Sequence, residues 1–307
     1  MSEFNLTTPV LFLVFNRPDT TIQVFEAIRQ AKPKQLFVAA DGPRADQPHE
    51  EEKCEKVRQI ATNVDWDCEV KTLFREKNLG CGVAVSSAID WFFENVEEGI
   101  ILEDDCLPHP TFFRFCQELL ERYCDDERIM TISGDNFQFG RKRTEYSYYF
   151  SIYFLCWGWA TWRRSWNYFD MDMKLWPKVR DERWLFDIFG DSKACKSWSR
   201  IFESVYNNDN TIWDYQMKFA CWINSGLSIL PNGNLVSNIG FREDGTHTKG
   251  VSKVANLKTE EMHFPLKCPP FVLRDNIADD FLQRDHYDIK PLLIRAIRKF
   301  YRLIKNI

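Results

Sequence analysis

The sequence predicts an α/β fold, an open and mostly parallel sheet flanked by helices, and three features of its first hundred residues carry that prediction. Short runs are apolar throughout, as strands buried on both faces of a parallel sheet must be. Longer segments between them repeat their apolar residues at helical spacing. The strand-like runs also end in Asp, Gly or clustered charge, where a chain leaves a sheet.

The elements follow in order. Residues 9–15 (PVLFLVF) form the first apolar run. Pro18 then suits a first helical turn, where its missing N–H would be unpaired anyway, and Val24, Phe25, Ile28 and Ala31 supply an apolar stripe. Residues 36–40 (LFVAA) read as a second strand closed by the turn Asp41-Gly42-Pro43, and 50–61 as a second helix with Cys54, Val57 and Ile60 inward. A third strand at 69–74, a third helix at 82–96 and a fourth strand at 99–105 (GIILEDD) complete the alternation. Right-handed crossovers turn such an alternation into a parallel sheet, which binds ligands at the carboxyl ends of its strands. After Thr111 comes a helix with Phe112, Phe113, Cys116, Leu119, Leu120 and Tyr123 on one face. Residues 146–222 are rich in Trp and Tyr and do not divide cleanly into elements, while 231–252, with four Gly among Asn, Ser and Thr, read as mobile loop. One domain over 1–289 is expected, with a ligand-binding half at 1–110 and an aromatic-rich half at 111–289.

The chain has 307 residues, 44% of them hydrophobic, with 11 Trp, 10 Tyr and 25 Phe, which excludes collagen-like and disordered classes. Charge is more telling when divided. Six cationic and no anionic side chains fall in 290–307; without them 34 Lys and Arg face 45 Asp and Glu, a balance of −11 against −5 for the whole. An acidic body lacks the cations that displace counterions from phosphates, so no nucleic-acid partner is expected. The 10 cysteines contain no C-x-x-C pair, which argues against zinc ribbons and dithiol redox chemistry and for reduced thiols. With no basic-then-apolar leader and no run of about 18 apolar residues, the expected location is cytoplasmic.

Glu103-Asp104-Asp105 follows an apolar strand directly. Adjacent anions repel, and two readings account for them. One is a solvated acidic strand end; the other is a site where one or two carboxylates hold Mg2+ or Mn2+, hard cations that share oxygen ligands with substrate phosphates. Arg17 and Asp41 at neighbouring strand ends favour the second reading.

The ordered segments PVLFLVFNRP, the Asp41 turn, REKNLGCGVAVSSAIDWFF, LEDDCLPHPTFFRF, ISGDN, CWGW and WDYQM resemble glycosyltransferases of GT-A (Rossmann-like) fold. The likeness runs over about residues 9–250 and is nearest to the N-acetylglucosaminyltransferase I type. It implies a metal-dependent, inverting transfer of a sugar from a nucleotide-diphosphate donor, a uridine one first, to a saccharide or lipid-linked glycan, as surface-polysaccharide assembly requires. It implies Asp105 as ligand of a Mn2+ or Mg2+ that bridges the donor phosphates, Glu103 and Asp104 near the sugar and ribose hydroxyls, Arg17 on the sugar or phosphate side, and Asp41 as acceptor from the base. Asp214 would be the catalytic base, Gly158 and Trp159 the floor of the cleft, and 240–250 a segment closing over the donor. One departure is Gln216, where the family tends to carry a second Trp after the base.

Elementary chemistry agrees with these roles. An acceptor hydroxyl needs a carboxylate within hydrogen-bond reach, opposite the leaving diphosphate and hence from a distant stretch of chain. Read without the resemblance, Asp214 is an acidic residue opening an apolar helix, where the helix dipole favours it. Asn78, with Gly80 and Gly82, marks either a helix start or a strip beneath the nucleotide, and Asp135, with Asn136, either a turn or an acceptor contact. Trp157 and Trp159 are core aromatics or a sugar platform, and His247 is an isolated loop histidine or a contact to pyrophosphate or metal. Two rival functions stay open. A nucleotidyltransferase shares this kind of sheet but would carry a Gly-rich, Arg/Lys-bearing loop where this chain has NRPDT; an inactive sugar-binding or scaffold relative would not need the acidic run. In the basic C-terminal segment, Leu292, Leu293, Ala296, Ile297, Phe300, Tyr301, Leu303, Ile304 and Ile307 fill one half of a helical wheel and Arg295, Arg298, Lys299, Arg302 and Lys305 the other. Either it docks on the body, or it holds the protein peripherally on the anionic inner face of a membrane.

Overall fold

The apolar runs become strands for the reason they suggest. In the computed structural model, which describes residues 4–207, 212–241 and 253–288, β1 (Val10–Val14) is buried at every position. It is followed by α1 (Pro18–Ala31), β2 (Gln35–Ala40), α2 (Glu50–Thr62), β3 (Glu69–Phe74), α3 (Cys81–Asn95) and β4 (Glu98–Glu103). These four strands are parallel and lie in the order β3-β2-β1-β4. Alternate residues of β1 serve opposite faces: Val10, Phe12 and Val14 join the core beneath α1 and α2, and Leu11 and Leu13 join the core beneath α3. Register sets the site. Val14 pairs with Ala40 and Leu13 with Glu103, so the chain leaves three neighbouring strands at one level, into Arg17, Asp41 and Asp104.

The second half extends the same sheet. After β5 (Cys106–Pro108) and α4 (Thr111–Arg122) come β6 (Ile129–Ser133), β7 (Tyr148–Ser151) and β8 (Trp159–Trp162). Four helices follow, α5 (Arg163–Trp166), α6 (Trp176–Asp181), α7 (Leu185–Phe189) and α8 (Ser192–Asn207), then α9 (Asp214–Ile223), β9 (Leu227–Pro231), β10 (Val236–Asn238) and α10 (Asn276–Leu282), which runs into a π-turn at Gln283–Tyr287. The eight-stranded order is β3-β2-β1-β4-β8-β6-β9-β7, with β8 and β7 antiparallel to their neighbours, so the sheet is mostly parallel, as expected. Because β8 runs backwards, its start, Gly158-Trp159, lies at the same edge as the ends of β4 and β6.

Two sequence readings change. Residues 231–252 were expected to be loop throughout; β9 ends at Pro231, and Val236–Asn238 pair antiparallel with Cys106–Pro108. The aromatic stretch 146–222 is less a ligand platform than a core: Trp159, Trp176, Trp198, Tyr148 and Tyr153 are all fully buried. Most of the rings meet edge-on or tilted, as their quadrupoles prefer, for example Trp198 with Trp222 at 4.5 Å and 79°. His247 and the basic segment 290–307 lie outside the described residues.

Phe92 shows how tightly the α3 core closes. Its ring meets Phe37 edge-on at 4.9 Å, and a Cβ added at Gly99 would fall 2.2 Å from it. Phe92→Ala is therefore expected to cost about 3–5 kcal/mol in urea unfolding, with unchanged denaturant dependence; a loss below about 1 kcal/mol would contradict this packing.

Candidate active site

Three carboxylates at the end of β4 meet one guanidinium. Arg17 Nη2 donates to Asp104 Oδ1 at 2.6 Å and Arg17 Nη1 lies 3.0 Å from Asp105 Oδ2, while the Phe15 N–H donates to Asp104 Oδ2 at 3.1 Å. Asp104 and Asp105 are buried and Glu103 half-buried. Burial opposes the charge on Arg17, but Asp104 and Asp105 outweigh it and hold the group above its ordinary value. One cation does not balance three anions. Burial, then Asp105 and Asp104, push Glu103 up to about 8; burial pushes Asp104 up to about 6 although Arg17 pulls it down.

The strand β10 roofs this cluster. The Ile239 N–H donates to the Asp105 carbonyl at 2.8 Å, and Asn238 Nδ2 stands 3.5 Å from Asp105 Oδ1. Gly240 passes so close that an added Cβ would lie 2.1 Å from Asp105 Oδ2 and 2.9 Å from Arg17 Nη1. Reading 231–252 as loop hid these contacts; the three-residue strand is recognisable only through its partner, β5.

Asp41 has another employment than the resemblance implies. Its Oδ1 accepts from the N–H of Gly42 at 2.8 Å and of Leu79 at 2.9 Å, and its Oδ2 from Asn78 Nδ2 at 2.9 Å and the Gly80 N–H at 3.1 Å. Those donors take the lone-pair capacity of a carboxylate, so Asp41 anchors the turn that starts α3, and Asn78 is one of its anchors. Gly80, with φ of 80°, adopts the left-handed backbone this turn needs.

Gly158 and Trp159 also move from floor to frame. Gly158 has φ of 64°, and the group a Cβ there would strike is Val236 Cγ2 at 2.7 Å, so the close approach is internal. Trp159 is 1% exposed; its ring stacks on Trp213 at 5.5 Å and meets Phe154 at 4.8 Å, which leaves no face for a sugar. Trp157, half-buried between Phe137 and Phe241, is the more accessible of the pair. Asp135 is buried, its carboxyl pushed well up by burial, and its Oδ1 has no hydrogen-bond partner. Its neighbour Asn136 is a turn residue, donating to the Pro231 carbonyl and accepting from the Gln138 N–H.

Asp214 opens α9 directly after the buried Trp213, so the Trp159–Trp213 stack fixes where its carboxylate emerges. From more than a hundred residues along the chain it reaches the acidic run: it is among the charges that raise Glu103. The Cys81 thiol at the start of α3 marks the common ground. Burial pushes it up first, followed by Glu103, Asp214, Asp105 and Asp41. One side chain thus feels carboxylates from β2, β4 and α9 together.

No family model matches the sequence, and no curated protein matches it. Among solved structures the chain is similar to HddC from Yersinia pseudotuberculosis, at 10% identity over 52% of this chain and 78% of that one, with a TM-score of 0.30. It is also similar to UDP-glucose pyrophosphorylase complexed with UDP-glucose, at 10% identity over 73% and 90% of the two chains with a TM-score of 0.36, and to the apo form at 8%, 72%, 90% and 0.35. Likenesses at this level do not assign an activity, which must come from the site.

The unbalanced cluster predicts a pH dependence of stability. A glutamate releases its proton near 4.3 in an unfolded chain, whereas Glu103 in the fold holds it to about 8. Between those values the folded state binds more protons, so stability falls as pH rises through the window. With a chelator present, the melting temperature of the wild type is expected to decline from about pH 5 to about pH 8, and that of Glu103→Gln to decline less; parallel curves would contradict the assignment.

Proposed function

We propose that the chain is a glycosyltransferase that moves a sugar, with inversion, from a nucleotide-diphosphate donor to a hydroxyl of a saccharide or lipid-linked glycan. The observation that supports this most is that Trp213, stacked on Trp159 of the strand beside β4, brings Asp214 from the far half of the chain towards the Glu103-Asp104-Asp105 edge, where its charge adds to those raising Glu103. A metal-and-diphosphate site on one side and a base on the other is what in-line displacement at an anomeric carbon requires.

The residues suit a hard divalent cation. The excess of carboxylate over guanidinium, which adds to burial in raising Glu103, is relieved by added positive charge, and the donors are oxygens. Among the described residues no three His, Cys, Asp or Glu side chains close around a metal by themselves, so Asp105 would hold it as one protein ligand and substrate phosphates would contribute others. When bound, Mn2+ or Mg2+ would neutralise the charge that collects on the leaving diphosphate. Arg17 holds Asp104 and Asp105 in place. Asp41 shapes the nucleotide side through the 78–80 turn, and Asp214 accepts the proton of the attacking hydroxyl. The nearness to the N-acetylglucosaminyltransferase I type is kept here as part of the proposal, as are a uridine donor and work at a membrane. Among the described residues no helix is long and apolar enough to cross one.

Turnover of a panel of UDP-sugars with Mn2+, followed by release of UDP, tests this reading. Asp214→Asn is expected to lower turnover about 10²–10⁴-fold while donor binding persists, and Asp105→Ala to remove the Mn2+ dependence of donor binding. Full turnover in Asp214→Asn would overturn the base. Pyrophosphate release from UTP and a sugar 1-phosphate, without UDP release from any UDP-sugar, would assign nucleotidyl transfer instead.

A further inference from the structure

Lys218 interrupts an apolar run in α9 (DYQMKFACWI) and its side chain is 3% exposed. A lysine so buried must find compensation for lost hydration. Four residues after Asp214, it lies on the same helix face, with Nζ 4.0 Å from Asp214 Oδ2. That separation is an ion pair acting through charge rather than a hydrogen bond. The remaining surroundings are aromatic. Nζ sits 4.7 Å from the ring centre of Tyr215, 5.1 Å from that of Tyr287 and 5.5 Å from that of Trp198, within the range in which ring faces attract a cation. It also donates to Tyr287 Oη at 3.3 Å.

The walls of this box come from three elements and are fixed from behind. Trp198 of α8 donates from Nε1 to Gln283 Oε1 at 2.8 Å, and Tyr153 donates from Oη to the same atom at 2.6 Å. Tyr287, in the π-turn, stacks on Tyr153 at 5.3 Å and 12°. One wall of the box, Tyr287, is in place only when residues 283–287 are docked; among the described residues the ion pair of Lys218 is with Asp214, and the buried Asp135 is close enough to feel its charge.

We propose that Lys218 is a positioning residue for Asp214, and that the box of Trp198, Tyr215 and Tyr287 holds its charge constant through the reaction. This rests on Asp214 as the base. In that step the acceptor oxygen bonds to the anomeric carbon and its proton passes to Asp214. The bond from that carbon to the diphosphate oxygen breaks, and its electron pair leaves on the diphosphate. Asp214 becomes neutral as the proton arrives, so Lys218 loses its counter-charge at that moment. The ring faces and Tyr287 Oη do not change charge and keep the ammonium compensated. A buried cation held this way fixes the carboxylate beforehand and costs no rearrangement when the proton moves. It also makes the C-terminal turn part of the catalytic frame.

The test combines a stability cycle with kinetics on the full chain, using UDP-glucose and UDP-N-acetylglucosamine with Mn2+ as probes. Asp214→Asn removes the ion-pair share of the compensation while the ring faces and Tyr287 Oη remain, and is expected to lower the melting temperature by a few degrees, whereas adding Lys218→Met to it restores part of the loss. Lys218→Met alone is expected to lower kcat about 10- to 100-fold with donor KM within about 3-fold, and Lys218→Arg, which keeps the charge, to recover part of it. Additive stability effects, or unchanged kcat in Lys218→Met beside a dead Asp214→Asn, would overturn the role of Lys218 and leave the base in place. Full turnover in Asp214→Asn would instead overturn the base, while the stability cycle still decides whether the two residues form a pair.

Discussion

The contact between Arg17 and the carboxylates at the end of β4 is the constraint around which the rest is arranged. Two of the three carboxyl groups share that guanidinium, Asp104 at 2.6 Å and Asp105 at 3.0 Å, and the third, Glu103, keeps its proton to about 8. Such a cluster is unfavourable by itself, and the fold holds it because register leaves it little choice. Leu13 pairs with Glu103 in adjacent buried strands, so Arg17 and the acidic run must leave the sheet side by side. Slipping by one residue would exchange the side chains that β1 sends into two differently packed cores, Val10, Phe12 and Val14 on one face and Leu11 and Leu13 on the other. The stability of the apolar sheet therefore sustains an electrostatic arrangement that added positive charge would relieve.

The second half serves the same edge by different means. Here aromatic packing fixes position. Trp159 lies beneath Trp213, Trp213 carries Asp214, and the Trp198–Tyr287 box carries Lys218. Of the two readings open for Trp159, core aromatic or sugar platform, the packing gives the first, and the rings around it are the support on which charged groups stand. Burying them also stiffens the frame, since a densely packed interior transmits displacement rather than absorbing it.

Strands β1, β2 and β4 were legible because strands buried on both faces have no polar positions; Asp105 stood out as charge at the end of an apolar run, whereas Asp214 by itself read only as a helix-start charge and was singled out by the resemblance. What stayed hidden was whatever depends on a distant partner. Gly158 stood out as a glycine, but only the fold shows that Val236 occupies the space a side chain would need. Asp41 was expected to meet a base, and the donors that fill it, at 78–80, lie nearly forty residues further on. Lys218 drew no notice within an apolar run. The available signal was its place four residues after an aspartate, and its meaning lay in Trp198 and Tyr287. β10 was lost among Asn and Gly because three residues show no periodicity without β5.

On the proposed function, the charge imbalance at the end of β4 is a place for a divalent cation and a diphosphate together. Thermal shift with UDP-sugars, with and without Mn2+, in the wild type and Asp105→Ala, tests it most directly, because a ligand that binds the folded state raises its stability. The expected result is a rise in melting temperature that needs both UDP-sugar and Mn2+ and disappears in Asp105→Ala. An equal rise without the metal, or in Asp105→Ala, would contradict it.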